Sequence, residues 1–480
     1  MIPNRSHSPG NPFLKPSRLR FGFSLVELMV AITISLLILL ALVTVFVNLS
    51  RSNNELNKTN IQIENGRLAV QLLQDDLMHA GFWGAYVPQF DDFSSRATPA
   101  LSNVAGGTYP TSVPDPCLTF NAANWTTEYK ANLIGIPVQG YDTVPASCAT
   151  ALPSQQANTD AIVVRHADTC VATNPASPNC EANIAGNLYF QASLCAATAQ
   201  AAGVNTITLS SASSSDNDAY NGKIIRIIAG VGAGQSRTIT DYDGSTKVAT
   251  VNSNWATQPN DQSTYSLDGV DYVFDTSGFT STNRNCSTSA DLRKFVSNIY
   301  YIRNFAVTPG DGIPTLMRSQ FGLSGSPAAL KQQDPVPLIE GIEGFRIEYG
   351  LDNLSDTGAA VDYTQSVNWA DPAVLNSPTN RGDGTPDQYV RCPTANTAND
   401  NTPPSTQPAA SVCTAEQLTN VVTAKIYVLA RSREATPGYV DNRIYNLGAT
   451  TLGPFNDSFK RHVFSTTVRL NNVSGRRETP

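Results

Sequence analysis

One run of residues limits what this chain can be. From Phe23 to Val47 it reads FSLVELMVAITISLLILLALVTVFV, 25 positions with a single ionisable side chain, Glu27. A helix of that length rises about 37 Å, enough to cross a hydrocarbon core of about 30 Å. Lys15, Arg18 and Arg20 precede it, and positive charge holds that end in the cytoplasm. Everything after Asn48 is then exported. An ionised carboxylate inside a membrane costs roughly 3 kcal/mol or more unless paired, which makes Glu27 a functional candidate. The plainer reading is an acid near a helix end whose carboxylate reaches the headgroups.

Cysteine usage agrees with export. Cys117, Cys148, Cys170, Cys180, Cys195, Cys286, Cys392 and Cys413 all follow the apolar run. None forms a CxxC pair, and His79, His166 and His462 are far apart, so no metal site is expected. An even count in an exported body reads as disulfides, or in part as reduced thiols. The short loops Cys170–Cys180 and Cys392–Cys413 are the favoured pairings. Residues 1–22 carry Arg5, Lys15, Arg18 and Arg20 and no acid, so removing them takes the net charge from −7 to −11. A body that acidic argues against nucleic acid as the main partner.

The helical pattern continues through IQIENGRLAVQLLQDDLMHAG (Ile61–Gly81), where Ile61, Leu68, Leu72, Leu73 and Leu77 suit one packed stripe. Gly81 and Gly84 end it. Beyond them, short runs alternate between apolar and polar, as in Phe345–Tyr349, Ala424–Val428 and Phe464–Leu470. Period 2 with Pro, Gly and Asn turns reads as antiparallel sheet. The fold class is therefore α+β, with a long transmembrane and amphipathic helix packed on a large antiparallel β-rich head.

Asn205–Leu267 stands apart. Strands near Ile224–Ile228, Thr238–Asp241 and Val248–Val251 are separated by Gly-rich turns, with Asp243-Gly244 as a hairpin signal. The stretch resembles a small β module found in phage tail and fibre proteins. Its Gly232–Arg237 turn, GAGQSR, lacks the spacing of a phosphate loop. Tyr242, Trp255 and Tyr265 are either surface-recognition aromatics or the module's own core, and core is the commoner fate. Asn380–Asp387 reads as a solvated turn, since Asp383 and Asp387 do not fit calcium-loop spacing. No GxSxG or HExxH occurs. No cofactor or catalytic set is expected, and the chain is read as a non-enzyme.

The junction Arg20-Phe21-Gly22-Phe23-Ser24-Leu25-Val26-Glu27 resembles the class III leader of type IV pilins and pseudopilins. The segments Ile299–Phe305, Pro337–Asp352, Val421–Glu434 and Phe459–Asn472, with Gln71–Tyr86, resemble the PilW family of minor pilins. The resemblance implies that prepilin peptidase cuts after Gly22 and methylates the Phe23 amine. It also implies that Glu27 pairs with the Phe23 amine of a neighbouring subunit. The expected layout is a leader at 1–22, a helix at 23–80, a first head segment at 81–204, the β module at 205–267 and the rest of the head at 268–480. The implied role is a minor pilin that helps start, and tips, the type IV pilus in adhesion, twitching motility or DNA uptake. Its partners would be other minor pilins, the major pilin, prepilin peptidase and the inner membrane. The alternatives are a tip adhesin that meets a surface ligand through the module, and a type II secretion pseudopilin.

Overall fold

The computed structural model describes residues 24–86, 88, 110–173, 180–192, 196–267, 272–283, 288–361, 380–391, 413–475 and 477. The chain divides into two compact units, residues 1–58 and 59–480. Helix α1 (Leu25–His79) begins in the first and ends in the second. It contains no proline, and no glycine before Gly66, so nothing interrupts its hydrogen bonds. In the first unit every residue from Ser24 to Asn54 is exposed. A helix apolar on all sides and covered by nothing matches a membrane span by length and composition.

The second unit takes α1 from Thr59 onward. The helix stops before Gly81, whose φ of +74° is a left-handed turn that glycine adopts without steric cost. The Gly81 amide then donates to the Arg165 carbonyl at 2.9 Å, delivering the chain to the first sheet. That sheet runs β1 (Val138–Tyr141), β2 (Ala161–Ala167), β12 (Leu292–Arg303), β13 (Thr315–Ser324) and β14 (Ala329–Gln332). β15 (Val336–Glu340) also pairs with β13, while β3 (Tyr189–Ala192) joins β12 to β11 (Tyr272–Asp275). A second antiparallel sheet runs β17 (Gln388–Val390), β16 (Ile342–Leu351), β18 (Val421–Arg431) and β21 (Arg461–Arg469). A small hairpin, β19 (Tyr445–Leu447) and β20 (Thr450–Leu452), lies between β18 and β21 in the chain. The described residues also include the short α-helices α2 (Thr127–Gly135), α3 (Ala415–Thr419) and α4 (Asn471–Ser474). α3 starts on a capping box, with Thr414 and Gln417 exchanging bonds.

Helix and both sheets share one core. Leu73 and Leu77 of α1 join Ile162, Val164 and Tyr300 of the first sheet and Phe345, Ile426 and Val428 of the second. Burying each such side chain contributes about 1.5–3 kcal/mol. β16 departs from simple alternation. Its polar-phase residue Arg346 is also buried, and its Nη1 donates to Asp160 at 2.5 Å.

The remaining strands form a separate sheet, in the order β4 (Ala196–Thr198), β10 (Thr264–Leu267), β7 (Ile224–Ala229), β8 (Ser236–Asp243), β9 (Val248–Val251), β6 (Thr206–Thr208) and β5 (Ala201–Ala202). It has its own core around Ile225, Ile227 and Ile239. The segments before and after it, β3 and β11, are paired with Ala192 opposite Tyr272. Both ends of this module therefore leave one spot on the first sheet.

Candidate assembly interface

The N-terminal segment ties several of its polar groups to its own backbone. The Thr33 hydroxyl donates to the Met29 and Val30 carbonyls, both at 2.9 Å, and that of Thr44 to the Leu40 carbonyl. Such back-bonding hides a hydroxyl from lipid. Glu27 Oε2 accepts from the Ser24 amide at 3.0 Å, while Ser24 Oγ accepts from the Val26 amide at 3.4 Å. This is half of a capping box, and its S-x-x-E signal stands in the sequence as Ser24 to Glu27. One carboxylate oxygen is thus used by the chain itself, and Oε1 has no partner among the described residues. Gly22 and Phe23 lie outside the described residues.

The packed face of the lower helix differs from the expected stripe. Gln62, Gly66, Ala69, Leu73 and Leu77 are the buried residues, Leu72 is half-buried, and Ile61 and Leu68 are 54 % and 49 % exposed. Large aliphatics mark the wrong side here because the helix backbone comes too close for them. A Cβ on Gly66 would lie 2.1 Å from the Phe464 ring. Above that point Gln62 Nε2 donates to the Ala430 and Lys460 carbonyls at 2.7 and 3.1 Å, and Asn65 Nδ2 to Glu340 at 3.0 Å. These amides add donors to carbonyls at the strand ends, which an apolar side chain could not supply. Ile61, Ile63 and Leu68 are left on the outer side, beside Glu64 and Arg67.

Near its C-terminal end the helix is held by charge. Asp76 accepts from His166 Nε2 at 3.0 Å and from Asn298 Nδ2 at 2.9 Å. His166 Nδ1 lies 2.8 Å from the Ala167 carbonyl, so both ring nitrogens face acceptors, an arrangement that favours the imidazolium. Burial opposes that charge. The Asp76 bond and charge outweigh it and hold the histidine above its ordinary value. The Asn472 side chain caps the helix end, donating to the Ala80 carbonyl at 3.2 Å.

The module's three aromatics are not at its surface. Tyr242, Trp255 and Tyr265 are 1 %, 6 % and 0 % exposed and belong to the module's own core. Tyr265 accepts from the Ser210 amide and Tyr242 donates to Ser214, so their hydroxyls tie the loop 210–214 over the sheet. Of the two fates open to them, core filling is the one found: the three rings pack with Ile225, Ile227 and Ile239 inside the module, and the surface-recognition reading does not hold for them. Cys170 is bridged to Cys180, and Cys117 to Cys148, a pair not foreseen. Cys413 is also in a disulfide, while Cys195, Cys286 and Cys392 lie outside the described residues.

Residues 17–43 match the model of the prokaryotic N-terminal methylation motif. Residues 299–472 match the family described as Type IV Pilus-assembly protein W, PilW. The chain carries a prepilin methylation motif and a PilW-family domain. That domain runs from β12 to α4 and so contains the second sheet and the partners of Gln62, Asn65 and Gly66. The module at 196–267 lies outside both matches. A solved type IV-like pilin from Thermus thermophilus is similar at 14 % identity and a TM-score of 0.18, over 37 % of this chain. The aligned part spans 66 % of that pilin, just under two thirds of its length. No protein with a curated description matches. The PilW-family domain and the prepilin motif tie the chain to the membrane and to the pilus.

Proposed function

We propose that this pilin is a minor subunit that helps start pilus assembly and then occupies the pilus tip. Its N-terminus would face the cytoplasm and its head the periplasm until assembly. The supporting observation is the exposed apolar run of α1 up to Val47, in which Glu27 is the single charge. Such a helix is stable only in lipid or among other helices. Glu27 Oε1 offers an acceptor to a neighbour's Phe23 amine, and that pairing relieves two charges in a low-dielectric place. Prepilin peptidase would expose that amine by cutting after Gly22. Other minor pilins and the major pilin would be the neighbours. The bulk of the head favours the tip, since it stacks poorly along a shaft.

The test combines two variants with gold labelling of the head. Gly22→Ala should leave the leader attached. Glu27→Ala should be cleaved yet enter pili poorly. Label is expected at filament ends. Even label along shafts removes the tip role, and normal incorporation of Glu27→Ala removes the pairing.

A second reading, a tip adhesin, is favoured by one observation. The module has its own core and enters and leaves the body at one paired position, Ala192 and Tyr272. Excising 193–271 should spare piliation and lower attachment if the module binds a surface ligand. Lost piliation would instead give the module a part in assembly.

A further inference from the structure

Sheet edges invite pairing with other chains, and folded proteins usually blunt them with short strands, proline, bulges or charge. This body follows that practice at most of its edges. The edge strands β1, β4, β5, β11, β14, β15 and β17 are two to five residues long, and β15 carries Pro337. β21 is different. It is nine residues long and forms the open side of the second sheet. Its pairing with β18 has no register shift across nine positions. From Val463 to Val468 it reads VFSTTV, with no proline, glycine or charge. No backbone group from His462 to Val468 bonds to anything but β18 among the described residues. A long edge of unbroken register, uncharged and built of β-branched and hydroxyl residues, is what strand addition requires.

We infer that the outer edge of β21 is a strand-addition site for an extended segment of a second pilus protein. The inference rests on the assembly reading above. Two features define the partner. The middle of the site is uncharged, whereas its exposed ends, His462 and Arg469, are both basic or protonatable. The incoming strand is therefore uncharged over about six residues, with a carboxylate at one end. The site also adjoins the helix, because Phe464 packs on Gly66. A subunit that lays its own helix along α1 brings its head beside β21. Main-chain bonds supply the affinity, and Ser465 and Thr467, exposed on one face, supply tolerance for varied side chains.

The test compares full-length protein purified alone with the same protein in sheared pili and in the detergent-solubilised membrane assembly. Amide hydrogen exchange is read at 462–468. Every second amide there should exchange freely in the purified chain and slow by about 100-fold or more in the assembly. Unchanged exchange in both assemblies overturns the inference. Protection already present in the purified chain, growing with its concentration, assigns the edge to a second copy and overturns the partner named here. Protection in the membrane assembly with none of the protein in pili overturns the tip reading and keeps the site. Proline supplies an independent arm. Amides alternate sides along a strand, so of Ser465→Pro and Thr466→Pro one loses a β18 bond and the other only an open-edge amide. The variant that keeps the wild-type unfolding midpoint should fail to assemble, and its normal assembly would overturn the site.

Discussion

Gly66→Ala should destabilise this protein, against the usual sign. In an ordinary helix interior the change stabilises by about 1 kcal/mol, because alanine loses less backbone freedom. Here the new methyl carbon would stand 2.1, 2.3 and 2.8 Å from Cε2, Cδ2 and Cζ of Phe464. Carbon contacts settle near 3.5–4.0 Å, so the ring must retreat by about 1.5 Å. Phe464 packs against the core and against His462, with ring centroids 4.8 Å apart. Overpacking of this kind costs about 1–3 kcal/mol, and the upper end applies where backbone meets ring. The net change is then about 1–2 kcal/mol of lost stability. Phe464→Ala removes the obstacle, and in that background Gly66→Ala should regain its ordinary benefit. Urea unfolding of the four proteins in detergent gives the coupling, expected at about 2–3 kcal/mol. A stabilised Gly66→Ala single mutant, or a coupling near zero, would refute the close approach of helix and strand.

Other outcomes follow from the body. Arg461 is buried and binds Glu343, Asp441 and Asp457 at once. Arg461→Leu removes the nearest cation from the fully buried Asp441, leaving it the Tyr439 and Tyr445 hydroxyls and Arg443, and should cost about 3–5 kcal/mol in chemical denaturation. The Cys117–Cys148 bridge closes a 31-residue separation and Cys170–Cys180 one of 10. Chain entropy puts their removal at about 3.7 and 2.8 kcal/mol, so Cys117→Ser should lower the melting temperature more than Cys170→Ser. His166 is held above its ordinary value of 6.5 by Asp76. A raised value in the folded state means that its contribution is complete below 6.5 and fades as pH rises through the folded value. Wild type should therefore lose stability as pH rises above 6.5, relative to His166→Gln, which keeps a donor to Asp76 but does not titrate. Parallel pH profiles would contradict the ion pair.

Much of this architecture is written locally. The apolar run, the absence of proline and glycine before Gly66, and the alternation at Ala424–Val428 each specify their own element. The module's hairpin at Asp243-Gly244 is equally local, and β8 and β9 pair around it. What failed depended on contacts from far along the chain. The helix face was misjudged because Gln62 and Gly66 gain their meaning from Ala430, Lys460 and Phe464, hundreds of residues away. Arg346 reads as a solvent-facing residue until Asp160 is placed beside it. Tyr242, Trp255 and Tyr265 are different: core was already their commoner fate in sequence, and the closed module has them as its filling. The Glu27 cap was legible as S-x-x-E, but a carboxylate in an apolar run draws attention away from its own helix start.

The central claim is that this chain is a processed pilin whose helix survives cleavage. Mass spectrometry of the N-terminal peptide of the chain recovered from sheared pili tests it most directly. The account predicts a peptide that begins at Phe23 with a methylated amine and continues SLVELMV. An intact Met1, or a chain that begins after Val47 as an ordinary secretory signal would leave it, contradicts the account.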